Sequence, residues 1–188
     1  MTMKYIVYIL LIVLTMTLQV KAQRQLPGQK GISVSSGIFS IKEPRDNYYF
    51  QMSFTKNNKS GNYQIWSAEY QHRNIPYGEQ KLPLEIYLGE GGYSFRFLGN
   101  YSKSLNFYLG LTAAAGYQHI NKGNYILPDG AIILDKSGFI YGTGGRLSLE
   151  SYITDKVMVL LQTKAYLFWG DSVNRLSPSV GMGLRLNL

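Results

Sequence analysis

The chain has 188 residues, a formal charge of +8 and no cysteine. Its length suits one domain with a sizeable core, and the missing thiols exclude disulfide bonds and thiolate metal sites. Charged residues make up 16% of the chain, which is low for a soluble domain, yet polar residues are too frequent for a bundle of membrane helices. The excess of positive charge predicts either a solvated basic surface or contact with anionic lipid headgroups or an acidic partner.

The first 22 residues have the layout of a secretory signal peptide. Lys4 precedes the apolar run 5–14, and Val20 and Ala22 supply the small residues of a cleavage site before Gln23. The alternative is an uncleaved anchor, but the apolar stretch is shorter than the roughly 20 residues that a spanning helix needs. We therefore predict a signal peptide over 1–22, a short periplasmic tail over 23–30 and an exported domain over 31–188. Because no cysteine follows the cleavage site, we expect no lipid tether.

The exported part shows alternation of apolar and polar residues with period two, which is the signal of β-strands, and no convincing helical periodicity. Eight segments carry this pattern. They are 31–41, 48–55, 63–73, 84–97, 105–117, 139–153, 157–169 and 179–188.

The fourth segment changes phase. Leu84, Ile86 and Leu88 share one parity, whereas Tyr93, Phe95 and Phe97 have the other. The change falls within the sequence GEGG at 89–92, which predicts a bulge or glycine kink there.

The eighth segment ends the chain in mid-strand, on an apolar residue. We predict that it pairs with the first strand, because a closed barrel has no free edge. The apolar end also resembles the insertion signal of outer-membrane proteins, which more commonly ends in an aromatic residue. The outward-facing residues of this barrel-closing strand are predicted to be Val180, Met182, Leu184, Leu186 and Leu188.

The connections between the segments alternate in length. Compact turns rich in Asn, Gly, Ser and Lys follow strands two, four and six, and longer connections follow strands three, five and seven, the longest at 118–138. This pattern is typical of an outer-membrane barrel, with both termini on the periplasmic side. The sequence therefore predicts an all-β fold, an eight-stranded antiparallel up-and-down transmembrane β-barrel in the bacterial outer membrane.

Charged residues recur on the polar face of these strands. A soluble barrel core would bury such ions at a cost of several kcal/mol each unless they were paired. In a narrow membrane barrel they can pair across the lumen. We predict a lumenal polar network of Glu69, Glu85, Arg96, Arg146, Glu150, Lys164 and Arg185.

Aromatic residues cluster near the predicted strand ends, where membrane barrels carry girdles at both interfaces. The alternative is that aromatic residues simply favour strands. The predicted girdle residues are Tyr48, Tyr49, Tyr63, Phe97, Tyr101, Tyr117, Phe139, Tyr141, Tyr152, Phe168 and Trp169.

Five stretches together resemble one family. They are QRQLPGQKG at 23–31, GNYQIWSAEY at 61–70, LPLEIYLGEGGYSF at 82–95, YGTGGRLSLESYITDK at 141–156 and LSPSVGMGLRLNL at 176–188. The chain is similar to the TraO proteins encoded by conjugative transposons of Bacteroides-type bacteria. The resemblance implies a role in conjugal DNA transfer, as a component of the cell-envelope secretion apparatus with other envelope proteins as partners. It supplies no catalytic residues.

An enzymatic site on the extracellular rim is the alternative that the polar residues leave open. A hydrolase or acyltransferase needs a nucleophile and a base within hydrogen-bond reach. The rim residues available for such a site are His72, His119, Asp129, Asp135, Asp171, Ser137 and Ser172. Nothing in their spacing selects a triad, and the two histidines lack the spacing of a metal site. We therefore predict no catalytic residues, no metal and no cofactor.

Nucleic-acid and small-molecule binding are not predicted either. The glycine-rich stretches lack the lysine and the following helix of a phosphate-binding loop. Lys56, Lys59, Lys103 and Lys156 lie on the predicted periplasmic turns, where they can meet lipid phosphates or a partner. An eight-stranded wall leaves little interior beyond its own side chains, so it cannot pass a DNA strand.

The sequence thus predicts a non-enzymatic structural component of the transfer apparatus. Its predicted partners are outer-membrane lipid and other envelope proteins, with the loop 118–138 and the tail 23–30 as docking surfaces. The alternative is a stand-alone outer-membrane barrel with an envelope-stabilising or adhesive role.

Overall fold

A computed structural model describes residues 26–78, 80–99, 105–123, 132, 137–170 and 175–188, so the predicted signal peptide lies outside the described residues. The described residues form eight antiparallel strands that pair in chain order and close into a barrel, which confirms the predicted all-β, eight-stranded antiparallel barrel. The strands are β1 (Lys30–Ile38), β2 (Tyr48–Asn57), β3 (Tyr63–Tyr77), β4 (Gln80–Gly99), β5 (Leu105–Ile120), β6 (Gly138–Tyr152), β7 (Val157–Gly170) and β8 (Leu176–Asn187). A short 3₁₀ turn, Asn121–Gly123, follows β5. No helix in the described part of the chain is long and apolar enough to cross a membrane.

The barrel has two ends, which we call the terminal end and the long-loop end. The terminal end carries Lys30, Leu188 and the turns after β2 and β6, and the long-loop end carries the connections after β1, β3, β5 and β7.

The barrel closes where β8 pairs with β1. Ile32 lies opposite Leu186 and Val34 opposite Leu184, and the Leu188 backbone N–H donates to the Lys30 carbonyl at 2.8 Å. All five residues predicted for the closing strand are exposed on the outer face. The final strand is therefore part of a continuous wall.

The two faces of the wall differ in the way the alternation predicts. On β1 and β8 the outer face carries aliphatic side chains that are more than half exposed, such as Val34 (57%) and Leu184 (56%), whereas Ser33 and Arg185 point inward and are buried. On these two strands apolar side chains thus face out and polar side chains face in, the reverse of a soluble protein.

Strand β4 corrects one prediction. Its alternation runs unbroken from Leu82 to Ser94, so Leu84, Ile86 and Leu88 point into the barrel while Tyr93 and Phe95 point out. The predicted phase change at 89–92 is wrong, and the register shift lies instead between Arg96 and Leu98. The physical reason is that part of the interior is apolar, so an apolar residue does not by itself mark the outer face.

The connection after β3 also differs from its prediction. Strands β3 and β4 continue past the predicted ends, and their ladder runs to the pair Tyr77–Gln80. The predicted long loop is therefore a projecting hairpin. Pro76 and Pro83 fit within this hairpin because the neighbouring strands stop pairing near His72 and Leu84, and proline is tolerated on such free edges. The predicted loop 118–138 begins as strand up to Ile120, and 124–131 and 133–136 lie outside the described residues.

The aromatic girdles are only partly as predicted. Tyr49, Tyr63, Tyr152 and Phe168 are buried on the inner face, because they have the inward parity of their strands, and Tyr101 lies outside the described residues. Outward-facing rings at the long-loop end include Tyr48, Tyr70, Tyr87, Tyr117, Phe139, Tyr141 and Trp169, and those at the terminal end include Phe54, Trp66, Tyr93, Phe95, Phe97 and Phe107.

Candidate functional site

The interior of the barrel is the most distinctive polar region of the described chain. It holds three buried ion pairs, Arg185–Glu150, Arg146–Glu90 and Lys164–Glu69, and every member is at most 5% exposed at its side chain. Five of these six residues are among those predicted from the sequence. The strands supply them by alternation, which directs every second side chain inward.

The pair nearest the terminal end is Arg185–Glu150. Arg185 Nη1 donates to Glu150 Oε2 at 2.7 Å, and Nη2 donates to Oε1 at 3.0 Å. The Tyr63 hydroxyl also donates to Glu150 Oε1 at 2.6 Å, and the Arg185 guanidinium lies 4.6 Å from the centroid of the Tyr63 ring. Glu150 therefore has partners from β3 and β8. The bidentate pair with Arg185 fixes the side chains at the terminal end of the interior.

Glu90 lies at the centre of the interior and receives donors from four other strands. The Tyr166 hydroxyl on β7 donates to Oε2 at 2.7 Å. Arg146 on β6, Ser67 on β3 and Gln51 on β2 all donate to Oε1. Sequence reasoning missed Glu90 because it falls within the stretch 89–92, where the phase was predicted to change.

Glu69 is the third buried carboxylate. It pairs with Lys164 and accepts a hydrogen bond from Gln71 Nε2 at 2.8 Å. Lys164 Nζ also lies 3.8 Å from the centroid of the Tyr49 ring, which is a cation–π contact.

The interior towards the long-loop end is apolar. We call its members the apolar plug, which consists of Leu84, Ile86, Leu88, Ala114, Ile120, Ile140, Tyr166 and Phe168. Six of the eight come from β4, β5 and β6, and the other two, Tyr166 and Phe168, come from β7. The plug fills the part of the lumen where the sequence predicted polar residues on β4.

Arg73 is a buried cation that the sequence analysis did not single out. It is 8% exposed, and its guanidinium lies 3.7 Å from the centroid of the Phe39 ring. Its Nη2 donates to Gln71 Oε1 at 3.2 Å and to the Ser177 hydroxyl. Within the described residues no carboxylate forms an ion pair with Arg73. The sequence pattern could have identified Arg73, because it lies four residues from Glu69 on the same strand and therefore shares its inward face.

Two of the predicted lumenal residues take no part in these buried ion pairs. Arg96 is half-buried near the terminal end, where its guanidinium lies against Gly61 in the turn after β2. Glu85 is on the outer face, because its neighbours Leu84 and Ile86 occupy the inward positions, and it accepts a hydrogen bond from the Tyr70 hydroxyl at 3.2 Å. The prediction that Glu85 belongs to the lumen is therefore wrong.

The two histidines flank Glu85 on the outer face. His72 on β3 and His119 on β5 each lie directly opposite it in register. Their rings pack on tyrosines, with centroids 5.2 Å apart for Tyr48–His72 and 4.9 Å apart for Tyr117–His119. No group of three potential metal ligands of the His, Cys, Asp or Glu type occurs among the residues the structure describes.

Of the other residues considered for an enzymatic rim, the Ser137 hydroxyl accepts a hydrogen bond from the Ile120 N–H at 3.0 Å. Asp129, Asp135, Asp171 and Ser172 lie outside the described residues.

Solved structures of outer-membrane barrels have a similar fold. Ail, the attachment invasion locus protein of Yersinia pestis, in complex with the heparin analogue sucrose octasulfate, aligns with a TM-score of 0.55 and 10% identity, over 87% of this chain and 100% of Ail. Neisserial surface protein A aligns with a TM-score of 0.51 and 12% identity, over 85% of this chain and 96% of its own. At such identities the likeness shows a common barrel fold.

No curated protein matches the chain in sequence. The family described as conjugative transposon protein TraO, by contrast, matches residues 26–188, which include all eight strands. The resemblance drawn from five sequence stretches is thereby confirmed, and the chain belongs to the conjugative transposon protein TraO family.

Proposed function

We propose that this TraO-family chain is a non-enzymatic outer-membrane barrel that serves as a structural component of the conjugative DNA-transfer apparatus. Membership of the family supports the link to conjugation. The proposed scaffold role rests on the contacts that link the strands across the interior of the barrel.

The outer-membrane location is supported by the wall itself. An apolar outer face with rings near both ends fits a lipid environment, in which a closed barrel is the only sheet that satisfies all its backbone groups. The proposed location requires export, which the predicted signal peptide over 1–22 would provide.

The observation that carries the scaffold role is the set of contacts around Glu90. Side chains from β2, β3, β6 and β7 meet this one carboxylate on β4, so five of the eight strands are linked across the lumen at one level. The apolar plug lies against the same level, since Tyr166 belongs to both. A DNA strand cannot pass such an interior, and the protein would contribute a wall-embedded anchor for other envelope proteins.

Two experiments test the membrane part of this proposal. The protein should stay with outer membranes after an alkaline wash, and the purified barrel should give no conductance steps in planar bilayers. Release by the wash would contradict the membrane location. Steady large-conductance openings would contradict the closed interior.

Deletion of the gene from its transposon tests the role in conjugation. We expect mating frequency to fall and to recover on complementation, and we expect transfer proteins to co-purify with a tagged copy in mild detergent. Unchanged mating and no co-purifying partner would favour the alternative of a stand-alone stabilising or adhesive barrel. A His72→Ala/His119→Ala variant that abolished mating while still folding would favour an enzymatic rim.

A further inference from the structure

Barrel closure brings three lysines from distant parts of the sequence into one row at the terminal end. Lys30 opens β1, Lys56 lies near the end of β2, and Lys156 lies in the turn between β6 and β7. All three are exposed. We call them the lysine row.

Backbone pairing places the row across neighbouring strands. Lys30 lies directly opposite Lys56, and the Lys30 carbonyl accepts the N–H of Leu188. The Lys156 carbonyl accepts the N–H of Asn187, the residue before Leu188, at 2.8 Å. Since neighbouring strands are about 4.8 Å apart, the row spans roughly 15 Å of the rim.

Lys30 and Lys56 lie at the edge of the apolar outer face, and Lys156 lies in the exposed turn before β7. Ile32 and Phe54 follow Lys30 and Lys56 on the same face two residues further along, which is a rise of about 7 Å. Both are more than a third exposed, as is Leu186 beside Ile32 on β8. A lysine at this height extends its ammonium group to the level of lipid headgroups.

Two lysines of the row, Lys30 and Lys156, lie in the part of the terminal end that lacks aromatic anchors, and Lys56 lies at its border beside Phe54 on β2. The outward rings at this end come from β2, β3, β4 and β5. On β6, β7, β8 and β1 the described outward side chains near this end are aliphatic or small polar residues. They are Leu147, Leu149, Ser151, Ile153, Val157, Val159, Leu184, Leu186, Leu188, Ile32 and Val34.

Charge balance points to an anion at the row. Like charges directly opposite each other on a sheet are destabilising, and Lys30 and Lys56 form no ion pair within the described residues. Lys59 in the next turn adds a further exposed cation, and the acidic residue described nearby is Asp155, beside Lys156.

The turn that carries Lys156 is held by Thr154, whose hydroxyl accepts the N–H of Val157 at 3.1 Å.

We propose that Lys30, Lys56 and Lys156 form a binding site for the phosphate of anionic phospholipid headgroups, at the seam where β8 meets β1. The site anchors the half of the terminal rim that has no aromatic girdle. A phospholipid is favoured over an acidic protein because the row borders the apolar face. This inference rests on the proposed membrane location, but not on the role in conjugation.

Tryptophan fluorescence can read out the lipid next to the row. The chain has two tryptophans, and a Trp169→Phe background leaves Trp66 alone. Trp66 lies opposite Phe54 and two residues from Gln64, which is opposite Lys56. In mixed vesicles of phosphatidylcholine and phosphatidylglycerol, one lipid at a time is supplied in brominated form as the quencher.

We expect brominated phosphatidylglycerol to quench Trp66 more strongly than brominated phosphatidylcholine, and we expect added salt to reduce the difference. The variant Lys30→Gln/Lys56→Gln/Lys156→Gln should lose the preference. Each lysine removed should lower the affinity for phosphatidylglycerol relative to phosphatidylcholine by roughly fivefold at low salt. The matched control Lys42→Gln/Arg45→Gln/Arg175→Gln removes three exposed cations at the long-loop end and should retain it.

Equal quenching by both lipids in the barrel with all its lysines would overturn the proposal, whether or not the triple variant folds. A preference that survives in a folded triple variant would overturn it as well. Lysine-dependent binding of polyglutamate without any lipid preference would assign the row to an acidic protein partner instead. Failure to insert into any vesicle would contradict the membrane location, whereas insertion without preference would contradict this inference alone.

Discussion

Arg185 on the closing strand β8 holds Glu150 on β6 through two hydrogen bonds, at 2.7 and 3.0 Å, across the intervening strand β7. Both side chains are at most 3% exposed. The pair therefore ties the closing strand to its second neighbour from inside the barrel.

Arg185→Met should destabilise the barrel by about 3–5 kcal/mol, because it leaves the Glu150 carboxylate buried without its cation. The double variant Arg185→Met/Glu150→Met should recover most of this loss, since it removes both charges. Urea unfolding in lipid vesicles measures the free energy of unfolding. Arg45→Met, at an exposed site, serves as the control. A double variant as unstable as the single one would show that packing, not charge pairing, dominates here.

Arg146 and Arg73 should respond in opposite ways to loss of charge. Arg146→Met should cost about 3–5 kcal/mol, because Glu90 then lies buried without its cationic partner. Arg73→Met should be neutral or stabilising, because Arg73 forms no ion pair with a described carboxylate and its burial is costly. The same unfolding measurement compares the two. Equal destabilisation would mean that Arg73 has a counter-charge beyond the described contacts.

The glycine at position 181 should be essential to the closing seam. A Cβ there would overlap the Tyr49 hydroxyl and the Ser36 carbonyl, both of which lie within van der Waals contact of that position. We expect Gly181→Ala to destabilise the barrel by about 1–3 kcal/mol and to slow its folding into vesicles. Gly145→Ala is the matched control, because a Cβ at Gly145 meets nothing within 4 Å. Equal tolerance of both substitutions would contradict the close packing at the seam.

A pH-dependent clasp joins the β1–β2 connection to the projecting hairpin. Lys81 Nζ lies 3.0 Å from Glu43 Oε1 and 2.5 Å from Asp46 Oδ2. The hydrogen bond from Lys81 lowers the pKa of Asp46 below its ordinary value, and the bond to Asp46 raises the pKa of Lys81. The clasp is therefore present at neutral pH, and it weakens as pH falls through the lowered pKa of Asp46 or rises through the raised pKa of Lys81.

Amide hydrogen exchange over 41–47 measures this clasp. Protection should decline at the acidic end of the range, and Lys81→Gln should remove the pH dependence while leaving the barrel folded. Because the groups are exposed, we expect a local effect rather than global unfolding. Protection that declines in the same way in the Lys81→Gln variant would exclude the clasp as its cause.

The wall of the barrel could be predicted from the sequence by itself. Alternation with period two marked all eight strands, and the alternating apolar residues from Val180 to Leu188 indicated that the last strand completes the wall. Parity also placed Glu69, Arg146, Glu150, Lys164 and Arg185 on one face. These predictions succeed because a strand has two faces and lipid accepts only an apolar one.

The contents of the barrel were decided by tertiary structure. Parity alone could not show that Leu84 faces inward and Glu85 outward, because that choice depends on Ile140 and Phe168, which arrive from β6 and β7 to form the plug. Nor could it join Glu90 to Arg146, which depends on the register of β4, β5 and β6, or align Lys156 with Lys30, which requires β8 to close on β1. Period two assigns residues to faces, whereas cross-strand partners and the level of each side chain along the barrel follow from the register of the closed sheet.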